Sequence, residues 1–150
     1  MFTEHWFWDR EVVKYSELRH LSAPPPPIGE LWAIYLDERR VHGCHRHIGN
    51  LRVVYDIPNA VADLSILIGE RDCWGHGYGF EAWNAMLGYL LETQRKVTAG
   101  TMSCNTAMTK IFNKSNMILE GVRRRHFLLD GREVDCLLYA KFRVDDKRIV

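Results

Sequence analysis

The chain has 150 residues, of which 47% are hydrophobic and 26% charged, and its twenty basic and nineteen acidic side chains leave a net charge of +1. That length suits a single domain with a sizeable core, and the even charge argues against a dedicated nucleic-acid binder, which carries a basic excess. No apolar run reaches the length of a membrane helix, no leader-like start is present, and Cys44, Cys73, Cys104 and Cys136 lie far apart, as expected of a reduced, cytoplasmic protein.

In chain order, residues 9–21 mix charge with apolar Val12, Val13 and Leu18 and predict a helical segment. It stops at four prolines (24–27), which suit an extended connector. Residues 30–36 have the β-branched and aromatic content of a strand. After a charged turn, 47–57 is a second strand ending at Pro58, and 62–69 a third. Alternation puts Leu64, Ile66 and Ile68 on one face of that strand and Asp63, Ser65 and Leu67 on the other. Phe80, Trp83, Leu87, Leu90 and Leu91 recur at three- and four-residue spacing and predict an amphipathic helix over 79–93. A strand at 96–102 and a helix at 105–115, with Met108, Ile111 and Phe112 inward, come next. Strand-like runs at 117–129 and 133–142 are joined by the turn signal Asp130-Gly131. Three antiparallel-looking strands, a helix, a strand, a helix and a hairpin make an α+β layout in one domain.

Between the third strand and the first long helix lies WGHGYG, residues 74–79. Glycine weakens regular structure, so this cluster marks either a tight turn or a loop whose bare amides approach a ligand. A strand, a glycine loop and a helix N-terminus together make a site for an anion such as phosphate. A Walker A loop is excluded, because Gly79 is followed by Phe80 and Glu81 instead of Lys-Ser/Thr. A dinucleotide fold is excluded too, because residues 96–102 supply no acidic residue at the end of a second strand.

With this order of elements, residues 30–143 resemble the GNAT superfamily of acetyl-CoA-dependent N-acetyltransferases, and its Rim-like branch most of all. The family's pyrophosphate loop, Gln/Arg-x-x-Gly-x-Gly/Ala, falls on Trp74, Gly77 and Gly79. The resemblance implies a mixed, mostly antiparallel sheet with a splayed central strand flanked by helices. It implies that the amides of Gly75, His76, Gly77, Tyr78, Gly79 and Phe80 wrap the coenzyme A pyrophosphate. Ile66, Leu67 and Ile68 would lie on the splayed strand that pairs with pantetheine, and the Ile66 amide would face the thioester oxygen. Asn105 matches the asparagine that contacts the pantetheine arm. The implied activity is acetyl transfer to a primary amine, and the implied alternative is a non-catalytic acyl-CoA-binding sensor or partner subunit.

Three departures accompany the resemblance. Trp74 stands where the family has Gln or Arg. Phe112 stands where many members carry a tyrosine that protonates the leaving thiolate. Only "MFTEHWFW" precedes the segment that family members usually preface with a strand and a helix, so the first strand is expected to be shortened or absent. Trp6, Phe7 and Trp8 are expected to cover a sheet edge or to form the contact of a homodimer.

The attacking amine must lose a proton, and two side chains are candidates for the base. Asp63 lies on the splayed strand, and His47 shares a strand face with His45. The cluster His42, Cys44, His45 and His47 has no second ligand group at a recognisable spacing, so no metal is expected. Arg123, Arg124, Arg125 and His126 are expected to alternate across a strand as a solvated edge. The acceptor stays open between a small molecule and a protein N-terminus, because amino acids, polyamines, amino-sugar nucleotides and antibiotics all present the amine. Neither nucleic acid nor membrane is an expected partner.

Overall fold

The computed structural model describes residues 4–23, 28–38 and 45–144. Two short helices, α1 (Glu4–Trp8) and α2 (Arg10–Val13), and a 3-10 turn (Glu17–His20) precede the sheet. The sheet strands are β1 (Glu30–Asp37), β2 (His45–Asp56), β3 (Val61–Ile68), β4 (Lys96–Met102), β5 (Ile118–Leu129) and β6 (Arg132–Phe142). Helix α3 (Tyr78–Thr93) connects β3 to β4, and α4 (Thr106–Lys114) connects β4 to β5. The order across the sheet is β1-β2-β3-β4-β6-β5, with β3–β4 the parallel pair and every other pair antiparallel. This is the mixed α+β architecture that the sequence predicts, and among the described residues no strand precedes β1. The prolines 24–27 and most of the charged turn, 39–44, lie outside the described residues. Among those that are described, no helix is long and apolar enough to cross a membrane.

Each connection has a local cause. Asp130 and Gly131 both take positive φ, 50° and 74°, which is the backbone of a two-residue hairpin turn between β5 and β6. Asn105 caps α4 by accepting from the Met108 N–H at 3.3 Å, and Asp9 caps α2 by accepting from the Glu11 N–H at 3.0 Å. Helix α3 presents Trp83, Met86, Leu87 and Leu90 to one face of the sheet. There they meet Leu51 and Val53 of β2, Ala62 and Leu64 of β3, Val97 and Ala99 of β4, and Phe112 of α4. The alternate residues, among them Asn50, Arg52, Asp63, Ser65 and Thr98, therefore point from the opposite, outer face.

Trp6 packs on His47 of β2 and Gly69 at the end of β3, which are interior strands, and not on a sheet edge. Trp6 and Phe7 are buried within the chain, while Trp8 is exposed. Trp6 lies against Gly69, just past β3, and Arg19 donates to the Leu128 carbonyl of β5 at 3.2 Å. The N-terminal segment thus ties one side of the sheet to the other. Arg123–His126 also differ from simple alternation. The register jumps from Arg123↔Cys136 to Phe127↔Val134, so residues 124–126 stand against Asp135 alone. Asp135 accepts from the Arg125 N–H and the Arg124 guanidinium, each at 2.8 Å, and Arg125 adopts φ 53°. The bulge gathers the Arg124 guanidinium and the Arg125 N–H around one carboxylate, pairs the Arg125 guanidinium with Glu133, and blunts an edge strand.

Candidate active site

The central parallel pair is short. Val61, Ala62 and Asp63 pair with Lys96, Val97 and Thr98, and pairing ends there although β3 continues to Ile68 and β4 to Met102. Beyond Asp63 the strands part and leave an opening. The Gly69 N–H donates to the Ile48 carbonyl of β2 at 2.9 Å. Peptide groups alternate in direction along a strand, so those of Ser65 and Leu67 also face β2, while those of Ile66 and Ile68 face the opening.

The glycine loop sits at the wide end of this opening. Gly75 and Gly77 have φ of +75° and +85°, and a Cβ built on either meets nothing within 4 Å. The first condition favours glycine, and the second leaves the amides open to an approaching group. Gly77 begins α3 without a side-chain cap, and the first helical bond is Glu81 N–H to the Gly77 carbonyl at 3.0 Å. The N–H groups of Tyr78, Gly79 and Phe80 precede that bond and have no partner within the helix, which makes them donors for an anion. A Cβ on Gly79 would be 3.6 Å from the side chains of Ile68 and Ile111, so the loop rests on both β3 and α4. Lys114 places its ammonium 5.0 Å from the Phe80 ring, and His76 stacks with Tyr78 at 5.7 Å.

Trp74 donates its indole N–H to the Ile68 carbonyl at 2.9 Å, while its ring is 41% exposed. It therefore takes one of the peptide oxygens that face the opening. Asn105 has its side-chain oxygen committed to capping α4 and keeps its NH2 for another partner. Phe112 is 1% exposed, between Trp83 at 5.5 Å and Tyr139 at 4.6 Å, and belongs to the core. Leu67 lies on the outer face, opposite Asn50.

The two candidate bases are far apart. Asp63 stands at the closed end of the opening, and its Oδ2 accepts from the Thr98 hydroxyl at 2.8 Å. Its side chain reaches solvent, yet the carboxyl itself is crowded by the sheet. Crowding governs the proton: burial raises the pKa, against the opposing effects of the Thr98 hydrogen bond and the Arg52 charge. His47 pairs with Tyr35 beyond the other end of β3, seven residues of β2 from the partner of Asp63, or about 23 Å. Its ring lies between Trp6 at 4.9 Å and Tyr35 at 5.2 Å. Its Nε2 is 2.9 Å from both the Gly49 carbonyl and Asn50 Oδ1. Two acceptors around one nitrogen require that Nε2 carry a hydrogen, so this nitrogen is a donor. His45 faces Asp37 at 3.8 Å, and His42 and Cys44 lie outside the described residues.

Sequence reasoning missed three features of this region. Glu70 accepts from the Trp6 indole at 2.7 Å and faces His5 Nε2 at 3.1 Å; these contacts, Trp6 foremost, hold its carboxyl below the usual carboxylate range. Asn50 is 5% exposed, and its Nδ2 has no hydrogen-bond partner among the described residues. Arg52 donates to the Ser65 hydroxyl at 3.3 Å and forms no ion pair among them. Only the alternation of β2 with β3 signals that Arg52 and Asp63 share a face.

Comparison with known proteins agrees with this geometry. A family model described as an acetyltransferase (GNAT) domain matches residues 2–118. No curated protein matches the chain. Among solved structures, a GNAT-family acetyltransferase from Bacillus anthracis superposes with a TM-score of 0.73 at 16% identity, covering 94% of this chain and 87% of that one. The ribosomal-protein-S5-alanine acetyltransferase from Vibrio fischeri gives 0.62 at 18% identity, covering 77% and 64%. The microcin C7 self-immunity acetyltransferase MccE, in complex with acetyl-CoA and AMP, gives 0.58 at 19% identity, covering 65% and 55%. The chain likewise spans 55% of the length of a probable acetyltransferase. These likenesses establish the shared fold, and the family match spans most of the sequence. A sheet split beside a glycine loop, on a chain that this family model covers, has one classification: the protein belongs to the GNAT acetyltransferase family.

Proposed function

We propose that this chain is an acetyl-CoA-dependent N-acetyltransferase, moving the acetyl group to a primary amine by direct attack in a ternary complex. The observation that carries this reading is the opening between β3 and β4, with the Ile66 and Ile68 peptide groups turned into it and the glycine loop at its wide end. The open amides from Gly75 to Phe80 would hold the pyrophosphate, and the pantetheine arm would lie in the opening as an additional strand. The Ile66 N–H is then a fixed dipole for the charge that develops on the thioester oxygen, with little solvent to reorient. Family membership and the acetyl-CoA seen with MccE support the choice of coenzyme.

The amine nitrogen attacks the thioester carbon, the carbon–sulfur bond breaks, and coenzyme A leaves as its thiolate. The proton lost by the amine goes to Asp63. Ile66 lies three positions beyond Asp63, about 10 Å along the strand, so a water relays it. The raised pKa makes the Asp63 carboxylate a stronger base than an ordinary one. The buried Phe112 ring has no proton to give, and none is required of it. A free thiol has a pKa near 8.5, so an unassisted thiolate costs only about 1–2 kcal/mol at neutral pH, and water protonates it.

The test is release of free thiol from acetyl-CoA with a panel of amines. Turnover that falls about 10²–10⁴-fold in Asp63→Asn, with acetyl-CoA affinity unchanged, is the expected result. Binding of acetyl-CoA without thiol release from any amine would assign the chain to a non-catalytic acyl-CoA sensor.

A further inference from the structure

The outer face of β2 and β3 carries a row of polar groups that acetyl transfer alone does not explain. Arg52 lies directly across from Ser65, and Asn50 across from Leu67, on the face that carries Asp63 and Thr98. Asn50 is 5% exposed, yet its Nδ2 has no partner among the described residues. The amide cannot simply be reversed. His47 Nε2 must hold a hydrogen toward the Gly49 carbonyl, so it can meet only the oxygen of Asn50, and the NH2 is left over. A buried donor left unsatisfied is costly and marks a place where an oxygen belongs.

Arg52 sits two residues along the same face. Its Nε reaches Ser65 Oγ at 3.3 Å, and among the described residues its charge meets no carboxylate within ion-pair distance. Arg52 and Asp63 are diagonal cross-strand neighbours, about 7–8 Å apart at the backbone. The row therefore offers two donors, one of them cationic, beside one carboxyl. From these juxtaposed groups we infer that the acceptor is a small amino acid: its carboxylate takes Arg52 and the Asn50 NH2, which flank the level of Ile66, and its amine is directed across β3 toward the thioester, with Asp63 farther along the same strand. This rests on the acetyl-transfer reading above and deepens it by naming the acceptor class. A polyamine offers no oxygen to Asn50 and is repelled by Arg52. A peptide N-terminus offers a carbonyl without the charge that Arg52 calls for.

The test uses the full chain with acetyl-CoA, the twenty amino acids, their carboxamides, and simple amines including spermidine. The measurements are thiol release and the melting temperature in the presence of coenzyme A. At least one amino acid should exceed its own carboxamide in kcat/KM by about 10–100-fold. Arg52→Met, an exposed change, should erase that preference chiefly through KM and leave the acetyl-CoA affinity as it was. Asn50→Asp keeps the oxygen for His47 and sets a carboxylate against the substrate's, so KM for amino acids should rise at least tenfold. Should that buried aspartate unfold the chain, Asn50→Leu removes the unsatisfied donor and should raise KM with the melting temperature maintained. A preference for carboxamides or spermidine, or an amino-acid preference untouched in Arg52→Met, would overturn the assignment. If no amine is turned over but an amino acid raises the melting temperature in wild type and not in Arg52→Met, the carboxylate site stands and the transfer reading fails. If neither signal is seen, both fall.

Discussion

Replacing Gly69 with alanine should detach the N-terminal segment from the sheet. The backbone at Gly69 is not left-handed, so alanine brings no conformational strain and the cost is steric. Its Cβ would stand 1.9 Å from Trp6 Cδ2 and 2.2 Å from Cε2. Ordinary carbon contacts lie at about 3.5–4.0 Å, so the indole must retreat by roughly 1.5–2 Å. It has no room to do so in place, being 1% exposed, bonded to Glu70 at 2.7 Å and packed on His47. A tryptophan buries about 150–250 Å², worth about 4–6 kcal/mol at ~25 cal/mol/Å². The unfolded chain already hides about 10–40% of that area, which brings the expected loss to about 2.5–5.5 kcal/mol. At about 2–4 °C per kcal/mol for a chain of this size, Tm should fall by roughly 5–20 °C. Thermal unfolding of wild type, Gly69→Ala, Trp6→Ala and the double variant forms a closed cycle. Gly69→Ala should cost less than about 0.5 kcal/mol once the indole is gone. An equal cost in both backgrounds refutes the steric account.

Asp63 has a folded-state pKa raised by burial, so folding favours its protonated form. The stability this adds is complete below the unfolded pKa and is lost as pH rises through the folded one. Asp63→Asn should therefore melt higher than wild type at neutral pH, with the gap closing in acid; a lower melting temperature at neutral pH contradicts this. Phe112→Ala should lose about 3–5 kcal/mol, read by denaturant unfolding, because the ring fills the space between Trp83 and Tyr139. Acetyl-CoA should raise the melting temperature of wild type and not of Gly79→Asp, whose carboxylate would stand among the loop amides; an undiminished shift would remove the loop from the coenzyme site. Trp74→Phe frees the Ile68 carbonyl, so acetyl-CoA affinity measured by calorimetry should hold or tighten. A loss beyond about tenfold would show that the coenzyme needs the indole N–H.

Most strand and helix boundaries were legible because their causes are local. The predicted strand at 96–102 is β4, and the helix expected over 79–93 begins one residue earlier, at Tyr78. Alternation along β3 correctly separated Leu64 from Asp63, because one face of that strand is buried by α3. The candidate site was legible in its glycine loop and less so in its surroundings. Nothing near Gly69 in sequence announces that Trp6, sixty-three positions earlier, occupies the space a side chain would need. The bulge around Asp135 escaped for a related reason: alternation assumes an even ladder, and a carboxylate on the neighbouring strand made the uneven one favourable. The Asn50 donor is invisible until the hydrogen on His47 is placed, which depends on a carbonyl two residues away.

The three-rung pairing of β3 with β4 has a consequence for amide hydrogen exchange. The middle strand of a sheet normally holds its hydrogens longest, since releasing them means opening the whole fold. Here the Ile66 and Ile68 amides lack a ladder partner, so they should exchange quickly while Ser65 and Leu67, facing β2, remain slow. A rapid–slow alternation within one five-residue stretch is a signature that no intact sheet would give. Whatever lines up in the opening with its own carbonyls would slow the rapid set alone, and peptide mass spectrometry would then report occupancy without any label on the ligand.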